Sequence, residues 1–407
     1  MQIRSITYFC NPGWPLNEKV LRQAGHFLQD ARAAFTQAGY EVQTTRLATV
    51  PFPKIVQKMN DVPALAQTLG LLLPELGVDY AAVGPAIPSL PESYAVIPEA
   101  VSASQNVFFS AILADRQHGL DLAAARRCAE VIVRLAPVES NGFANLRFAA
   151  LANVLPGAPF FPAAYHAGGE PAFALALEAA DAAVDAFESA ATIEEGRQAL
   201  VSALEEHTRL LCKTADFLKY KYLLKFGGID CSLAPFPSER RSLGAAFERL
   251  GVPAVGLHGS LTAAAILTEA IERVDFPRAG FNGLMLPVLE DAVLARRAAE
   301  GTLSVKDLLL YSAVCGTGLD TLPLPGDVTP EQITPLLLDL SALSLRLDKP
   351  LTARLMPVPG KKAGEPTDFD FAFFANSAVM RLQAETIGRA LAAEQTVRLQ
   401  ARPAEKR

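Results

Sequence analysis

Charge is scarce in this sequence: 20% of its 407 residues are Asp, Glu, Lys or Arg, and half are hydrophobic. That composition excludes a disordered, self-repelling chain. Acidic residues outnumber basic ones 43 to 37, the net charge is −6, and no basic run offsets it. Nucleic acid, which needs a basic face, is not an expected partner. Cysteines are few, scattered and odd in number: Cys10, Cys128, Cys212, Cys231 and Cys315. Without a CxxC pair they indicate neither a zinc site nor a disulfide framework. The longest uncharged stretch, Phe148 to Gly169, is interrupted by Pro156, Pro159 and Pro162, which suits no bilayer span. Met1–Phe9 reads as a strand, not as a charged-then-apolar leader. The expectation is a cytoplasmic protein with no membrane contact.

Familiar catalytic signatures are missing too. The sequence holds no GxSxG elbow, no HExxH, no GxGxxG after a strand and no GxxxxGK[ST] loop. Several common hydrolase, metalloprotease and nucleotide-dependent classes drop out, and no nucleotide or flavin fingerprint remains.

What is present is a regular alternation of strand-like and helix-like segments. Ile3–Phe9 is an apolar strand. Asn17 then caps a helix whose apolar face is Val20, Leu21, Ala24, Phe27, Leu28, Ala31 and Phe35, closed by Gly39. Tyr40–Leu47 returns as a strand, which makes a βαβ unit and favours a parallel sheet. Val78–Val83, Asn106–Leu113 and Leu146–Val154 read as buried strands, and Asp121 opens a helix to Leu135. Pro171–Ser189 reads as an Ala-rich helix. Thr192 and Glu195 form a capping box for a long helix to about Phe226. Ile229–Leu233 is a strand, and Ser238–Leu250 and Leu261–Val274 are helices. Leu286–Ala299 is read as a helix, and a second capping box, Ser304 with Asp307, precedes Leu308–Val314. Thr329-Pro330 starts another helix. Thr352–Val358 and Phe371–Leu382 read as strands. No linker divides the chain, so residues 1–397 are expected to form one α/β domain, with 398–407 a polar tail that frays. A chain of this length buries roughly three quarters of its unfolded surface and needs no staples to fold.

In parallel α/β architectures ligands gather on loops beyond strand ends. Four such loops carry chemistry. In Cys315-Gly-Thr-Gly-Leu-Asp320 to Gly326-Asp327, the two aspartates offer oxygen ligands to Mg²⁺ or Ca²⁺, and Cys315 offers a thiol. Aspartates also end turns by bonding backbone, and cysteines also serve as small buried hydrophobes. Pro359-Gly-Lys361-Lys362 sets two lysines where they can hold an anion, or simply solvate a hairpin tip. Gly256-Leu-His258-Gly-Ser260 opens a helix, where Ser260 meets an anion or serves as an N-cap, and His258 is a proton carrier. Glu290 and Asp291 stand in an expected first helical turn, where acids also suit the dipole. His166, Arg147 and Asp230 complete the candidates.

Ile3-Arg-Ser-Ile-Thr, Asn145-Leu-Arg-Phe-Ala-Ala, Pro159-Phe-Phe-Pro-Ala-Ala-Tyr-His, Ser232-Leu-Ala-Pro-Phe-Pro, Gly283-Leu-Met-Leu-Pro-Val-Leu-Glu-Asp, Cys315-Gly-Thr-Gly-Leu-Asp and Pro357-Val-Pro-Gly-Lys-Lys-Ala-Gly resemble the family called domain of unknown function 711. The resemblance runs from Gln2 to about Leu382. It implies a fold similar to the pyruvate formate-lyase and ribonucleotide reductase barrels: a ten-stranded α/β barrel of two five-stranded parallel halves set antiparallel. Radical chemistry does not follow, because the C-terminal stretch lacks the Arg-Val-x-Gly-aromatic segment that a glycyl-radical enzyme needs. No activity transfers from the family. From the loops alone, the expected function is an enzyme acting on a small anionic metabolite with a divalent metal. Asp320 and Asp327 would hold the metal, Lys361 and Lys362 the anion, and Cys315, His258 or His166 would do acid–base or nucleophilic work. The alternative is a non-catalytic metabolite binder or sensor on a degenerate enzyme barrel. A homo-oligomer is the expected assembly under either reading.

Overall fold

The computed structural model describes residues 1–314 and 317–402. It is a mixed α/β structure with eleven strands and twelve helices among the described residues. The strands are β1 (Gln2–Cys10), β2 (Val42–Thr49), β3 (Tyr80–Ala86), β4 (Val107–Asp115), β5 (Gly119–Asp121), β6 (Phe148–Ala152), β7 (Ala172–Glu178), β8 (Lys225–Asp230), β9 (Gly318–Pro325), β10 (Leu351–Val358) and β11 (Thr396–Val397).

Nine of them form one path in the order β8-β7-β1-β2-β3-β4-β6-β10-β9, and β5 and β11 hang beside β4. The five central strands, β1, β2, β3, β4 and β6, are parallel. β7 runs antiparallel to β1, and β10 antiparallel to β6. Outside them β8 is parallel to β7, and β9 to β10. Isolated parallel bridges link Ile229 to Arg278 and Leu233 to Leu284, and Pro287 to Asp320. The segment 278–287 thus touches the strands at both ends of the path.

Parallel strands are covered on both faces and so read as nearly continuous apolar runs. Helix Glu18–Gln37 shows how one face is covered. It buries Leu21, Ala24, Phe27, Leu28, Ala31 and Phe35 against the sheet. Asn17 accepts from the amides of Lys19 and Val20 to start it. The helix starts read from sequence hold elsewhere as well. Thr192 and Glu195 bond reciprocally, as do Ser304 and Asp307.

Three elements differ from the sequence reading. Pro171–Ser189 is not one helix: Ala172–Glu178 is β7, and only Ala180–Glu188 is helical. Alanine's helix propensity yields there to the strand pairings of β7 with β1 and β8. Phe371–Leu382 forms no strand. Its rings pack on each other instead, with Phe371 and Phe374 centroids 5.2 Å apart and edge-on. Leu286–Ala299 is α-helical only from Ala292 to Ala299, preceded by a single 3-10 turn at Val288–Glu290. Pro287 belongs to the bridge with Asp320, and Asp291 is the N-cap, accepting from the amides of Val293 and Leu294.

Candidate functional site

Polar residues embedded in the strands, more than those on the loops, converge. A cavity of about 160 Å³ draws Arg4 from β1, Arg46 from β2, Asp320 from β9 and Arg354 from β10, with Glu290 from the turn after Pro287. Two β-bulges aim these side chains. Between Ile3 and Ser5 the register with β7 slips by one residue at Arg4. Between Leu319 and Leu322, β9 sets Asp320 and Thr321 opposite the single residue Arg354 of β10. Thr321 takes φ 38°, a rare value for a β-branched residue. Bulges re-aim side chains out of the regular alternation, and here each supplies one charge to the cavity.

The charges form one chain of ion pairs. Glu290 accepts from Arg4 Nη2 at 2.5 Å and from Arg354 Nη2 at 2.7 Å. Arg354 Nε donates to Asp320 Oδ1 at 2.5 Å. Arg4 Nη1 reaches Glu178 at 3.2 Å, which also pairs with Arg241 at 2.6 Å and accepts from Gln43 at 2.5 Å. Burial and the Glu290 charge push the Asp320 carboxyl up, against the pull of Arg354. Burial likewise pushes Glu178 up, against Arg4.

Arg46 stands outside this chain. It is 9% exposed, and its Nε donates to Thr44 Oγ1 at 2.8 Å. Its guanidinium carbon lies 5.0 Å from the centre of the Phe161 ring. Among the described residues it makes no ion pair, and its terminal nitrogens have no hydrogen-bond partner. Burial, followed by the Arg4 charge, lowers its pKa to about 9. A buried cation without a carboxylate is costly, so such groups are ordinarily paired.

Of the residues singled out from sequence, Glu290, Asp320 and Arg147 line this cavity. Arg147 is spent on structure: it donates to the carbonyls of Val101 and Ser104 and pairs with Glu139. Asp327 is exposed beyond the far end of β9. Five steps along β9 at roughly 3.3 Å each, and then a turn, separate it from Asp320, which holds the two carboxylates apart. Among the described residues no group of three or more His, Cys, Asp or Glu is placed to hold a metal.

The remaining loop candidates lie elsewhere. Lys361 donates to Pro366 O at 2.7 Å, and Lys362 is exposed. Neither lines the cavity. His258 is exposed, and Ser260 closes its own turn, donating to Leu257 O at 2.8 Å and accepting from Gly256 N. Asp230 is a buried clamp that accepts from Ser232 Oγ at 2.6 Å and from the amides of Phe281 and Asn282. It ties β8 to the segment 278–287. Burial, only partly offset by these donors, raises its pKa to about 6. His166 lines a separate cavity of about 680 Å³, where Nε2 has no partner among the described residues and burial lowers its pKa. The charged walls of that larger cavity include the exposed ion pair Arg116–Asp348. Cys315 falls outside the described residues. Cys231 is fully buried, and burial raises its pKa to about 12, so it is a packing residue and not a nucleophile.

Sequence reasoning missed Arg4, Arg46, Arg354 and Glu178. The available signal was an arginine inside an apolar strand run, as in Gln2-Ile-Arg-Ser-Ile, Thr45-Arg-Leu-Ala and Thr352-Ala-Arg-Leu-Met. A charge there is either solvated on an edge or buried for a purpose.

Comparison with known proteins adds the family. The family model described as "Uncharacterised ACR (DUF711)" matches residues 1–376. A UPF0210 protein of Pyrobaculum arsenaticum is 32% identical over 356 residues, covering 82% of this chain and 78% of that protein. UPF0210 proteins of Methanopyrus kandleri and Desulforudis audaxviator are 27% and 28% identical, with 86% and 87% of this chain covered and 82% of each relative. The chain belongs to the DUF711 (UPF0210) family.

Proposed function

We propose that this member of an uncharacterised family is an enzyme that takes a small anionic metabolite into the arginine-lined cavity, with Arg46 as the anion anchor and Asp320 as the proton carrier. The observation that carries the reading is Arg46 itself, a guanidinium held in the cavity wall with no carboxylate partner among the described residues. A ligand anion would supply the missing charge and a fork of two hydrogen bonds. The surroundings agree in sign. Arg4, Arg46, Arg147, Arg241 and Arg354 face Glu139, Glu178, Glu290 and Asp320, which leaves one positive charge over.

The catalytic half of the proposal rests on Asp320. Its raised proton affinity suits a carboxyl that gives up or takes a proton beside a bound ligand. Both oxygens of Glu290 are occupied by Arg4 and Arg354, so Glu290 positions the arginines and does not itself carry a proton. The same observation favours the second reading, a binder or sensor without chemistry, since Asp320 alone is left for proton transfer. We further take the sheet to be a closed ten-strand barrel with the segment 278–287 as its tenth member. The bridges to Ile229, Leu233 and Asp320 support that closure, which would set the cavity inside the barrel.

The test is calorimetric titration of the full chain with a panel of carboxylates and phosphates, in the parent and in Arg46→Met. Binding of some anion that Arg46→Met loses supports the anchor, and binding unchanged in the variant removes it. For any anion that binds, turnover followed by NMR in parent and Asp320→Asn separates enzyme from sensor.

A further inference from the structure

We infer that the ligand of this cavity is a compact monocarboxylate whose uncharged body is apolar and about the size of one six-membered ring. The inference rests on the anion reading above and narrows it by three observations.

The first is charge. The ion pairs balance Arg4, Arg147, Arg241 and Arg354 against Glu139, Glu178, Glu290 and Asp320, and leave Arg46 as one positive charge over. A carboxylate carries one negative charge at neutral pH, whereas a phosphate monoester carries nearly two. One anchoring guanidinium with free terminal nitrogens matches the two oxygens of one carboxylate. Among the described residues no second unpaired cation lines the cavity to meet a second charge, since Arg4, Arg147 and Arg354 are all paired.

The second is the wall beside the anchor. Arg46 stacks on Phe161, Phe161 meets Phe108 edge-on at 5.5 Å, and Phe108 meets Tyr80 at 5.4 Å. On another side Arg4 lies 5.5 Å from the Phe373 ring. Ring faces and edges next to a fixed cation receive an apolar body attached to the anion.

The third is room. The cavity measures about 160 Å³. Apolar cavities of roughly 150 Å³ in proteins accept benzene. A ring or a branched chain of that bulk fits beside the carboxylate.

The experiment titrates the full chain calorimetrically with six probes: benzoate, cyclohexanecarboxylate, acetate, benzamide, inorganic phosphate and phenyl phosphate. The expected result is one-to-one binding of benzoate and cyclohexanecarboxylate, each about tenfold or more tighter than acetate, because only they bury the apolar body. Benzamide, which keeps the ring and loses the charge, is expected to bind about tenfold or more weaker than benzoate, and Arg46→Met and Arg46→Gln to show the same loss. Phosphate or phenyl phosphate binding more tightly than benzoate, with loss in both variants, overturns the ligand class and leaves the anion anchor standing. Benzoate and benzamide binding alike, with neither variant affected, overturns both. Acetate equal to benzoate, or no carboxylate bound, also overturns the ligand class.

Discussion

Arg354 Nε sits 2.5 Å from Asp320 Oδ1, across a bulge that sets Asp320 and Thr321 of one strand against Arg354 alone on its neighbour. The same guanidinium reaches Glu290 with its Nη2, so one cation holds two carboxylates in place, Glu290 buried and Asp320 partly so.

Removing that cation strands Asp320 and leaves Glu290 with Arg4 as its ion-pair partner. Arg354→Met is expected to cost about 3–5 kcal/mol at neutral pH, the penalty for breaking a buried pair by deleting one partner. The loss should shrink toward pH 5, because the abandoned Asp320 carboxyl, its proton affinity already raised by burial, takes up a proton. Urea unfolding of parent and variant at both pH values measures it, and a loss independent of pH would mean that Arg354 acts by packing alone.

Arg46 is expected to behave in the opposite way. It has no carboxylate partner among the described residues to leave behind, so Arg46→Met should unfold no more easily than the parent in the absence of ligand. A gain of about 1–2 kcal/mol is expected from relieving an unpaired buried cation. A loss of that size in the same urea experiment would make Arg46 a structural residue and remove it as an anion anchor.

The pH dependence of anion binding follows from the same group. Arg46 must be protonated to bind an anion, and burial has lowered its pKa to about 9. Affinity should stay level from pH 6 to 8, then fall by about tenfold per pH unit once above the pKa of the anchor. Dissociation constants measured from pH 6 to 10.5 check the sign, and affinity that rises with pH would contradict it.

Asp230 gives a stability signature of its own. Its pKa moves from 3.8 to about 6 in the fold, so the native state holds a proton that the unfolded state has released between those values. Stability contributed by this group is present below that window and falls as pH rises through it, by about 3 kcal/mol in total. Asp230→Asn removes the titration. The difference in unfolding free energy between parent and variant should therefore narrow from pH 4 to pH 7, and a widening difference would show the sign to be wrong.

How much of this was readable in the sequence depends on the range of the interaction involved. Asn17, Thr192 with Glu195, and Ser304 with Asp307 were legible because a cap is made by residues within four positions of each other. The family was legible from motifs lying in order along the chain, and the family model and relatives bear it out. β7 was not legible, since Phe-Ala-Leu-Ala-Leu becomes a strand only because β1 and β8 lie on either side. The site was legible in part. Glu290 and Asp320 were picked out, Glu290 as a ligand contact on a helix and Asp320 as a metal ligand. Their actual partners, Arg4 and Arg354, are 286 and 64 residues away from Glu290 and reach it through a register slip that periodicity does not reveal. The loop candidates Lys361, His258 and Asp327 failed to join them because loop polarity is as often solvation as function.

The Arg4–Phe373 contact has a consequence for synthesis. One wall of the cavity is made from the first strand and another from a segment that leaves the ribosome after all eight strands from β1 to β8 and both strands of the β9–β10 pair. A nascent or truncated chain ending before Phe373 can fold helices and pair strands, yet it lacks part of the wall around its buried arginines. The walls of the cavity are therefore complete only once the chain as far as Phe373 has been made, and neither half of a split gene would carry both of them.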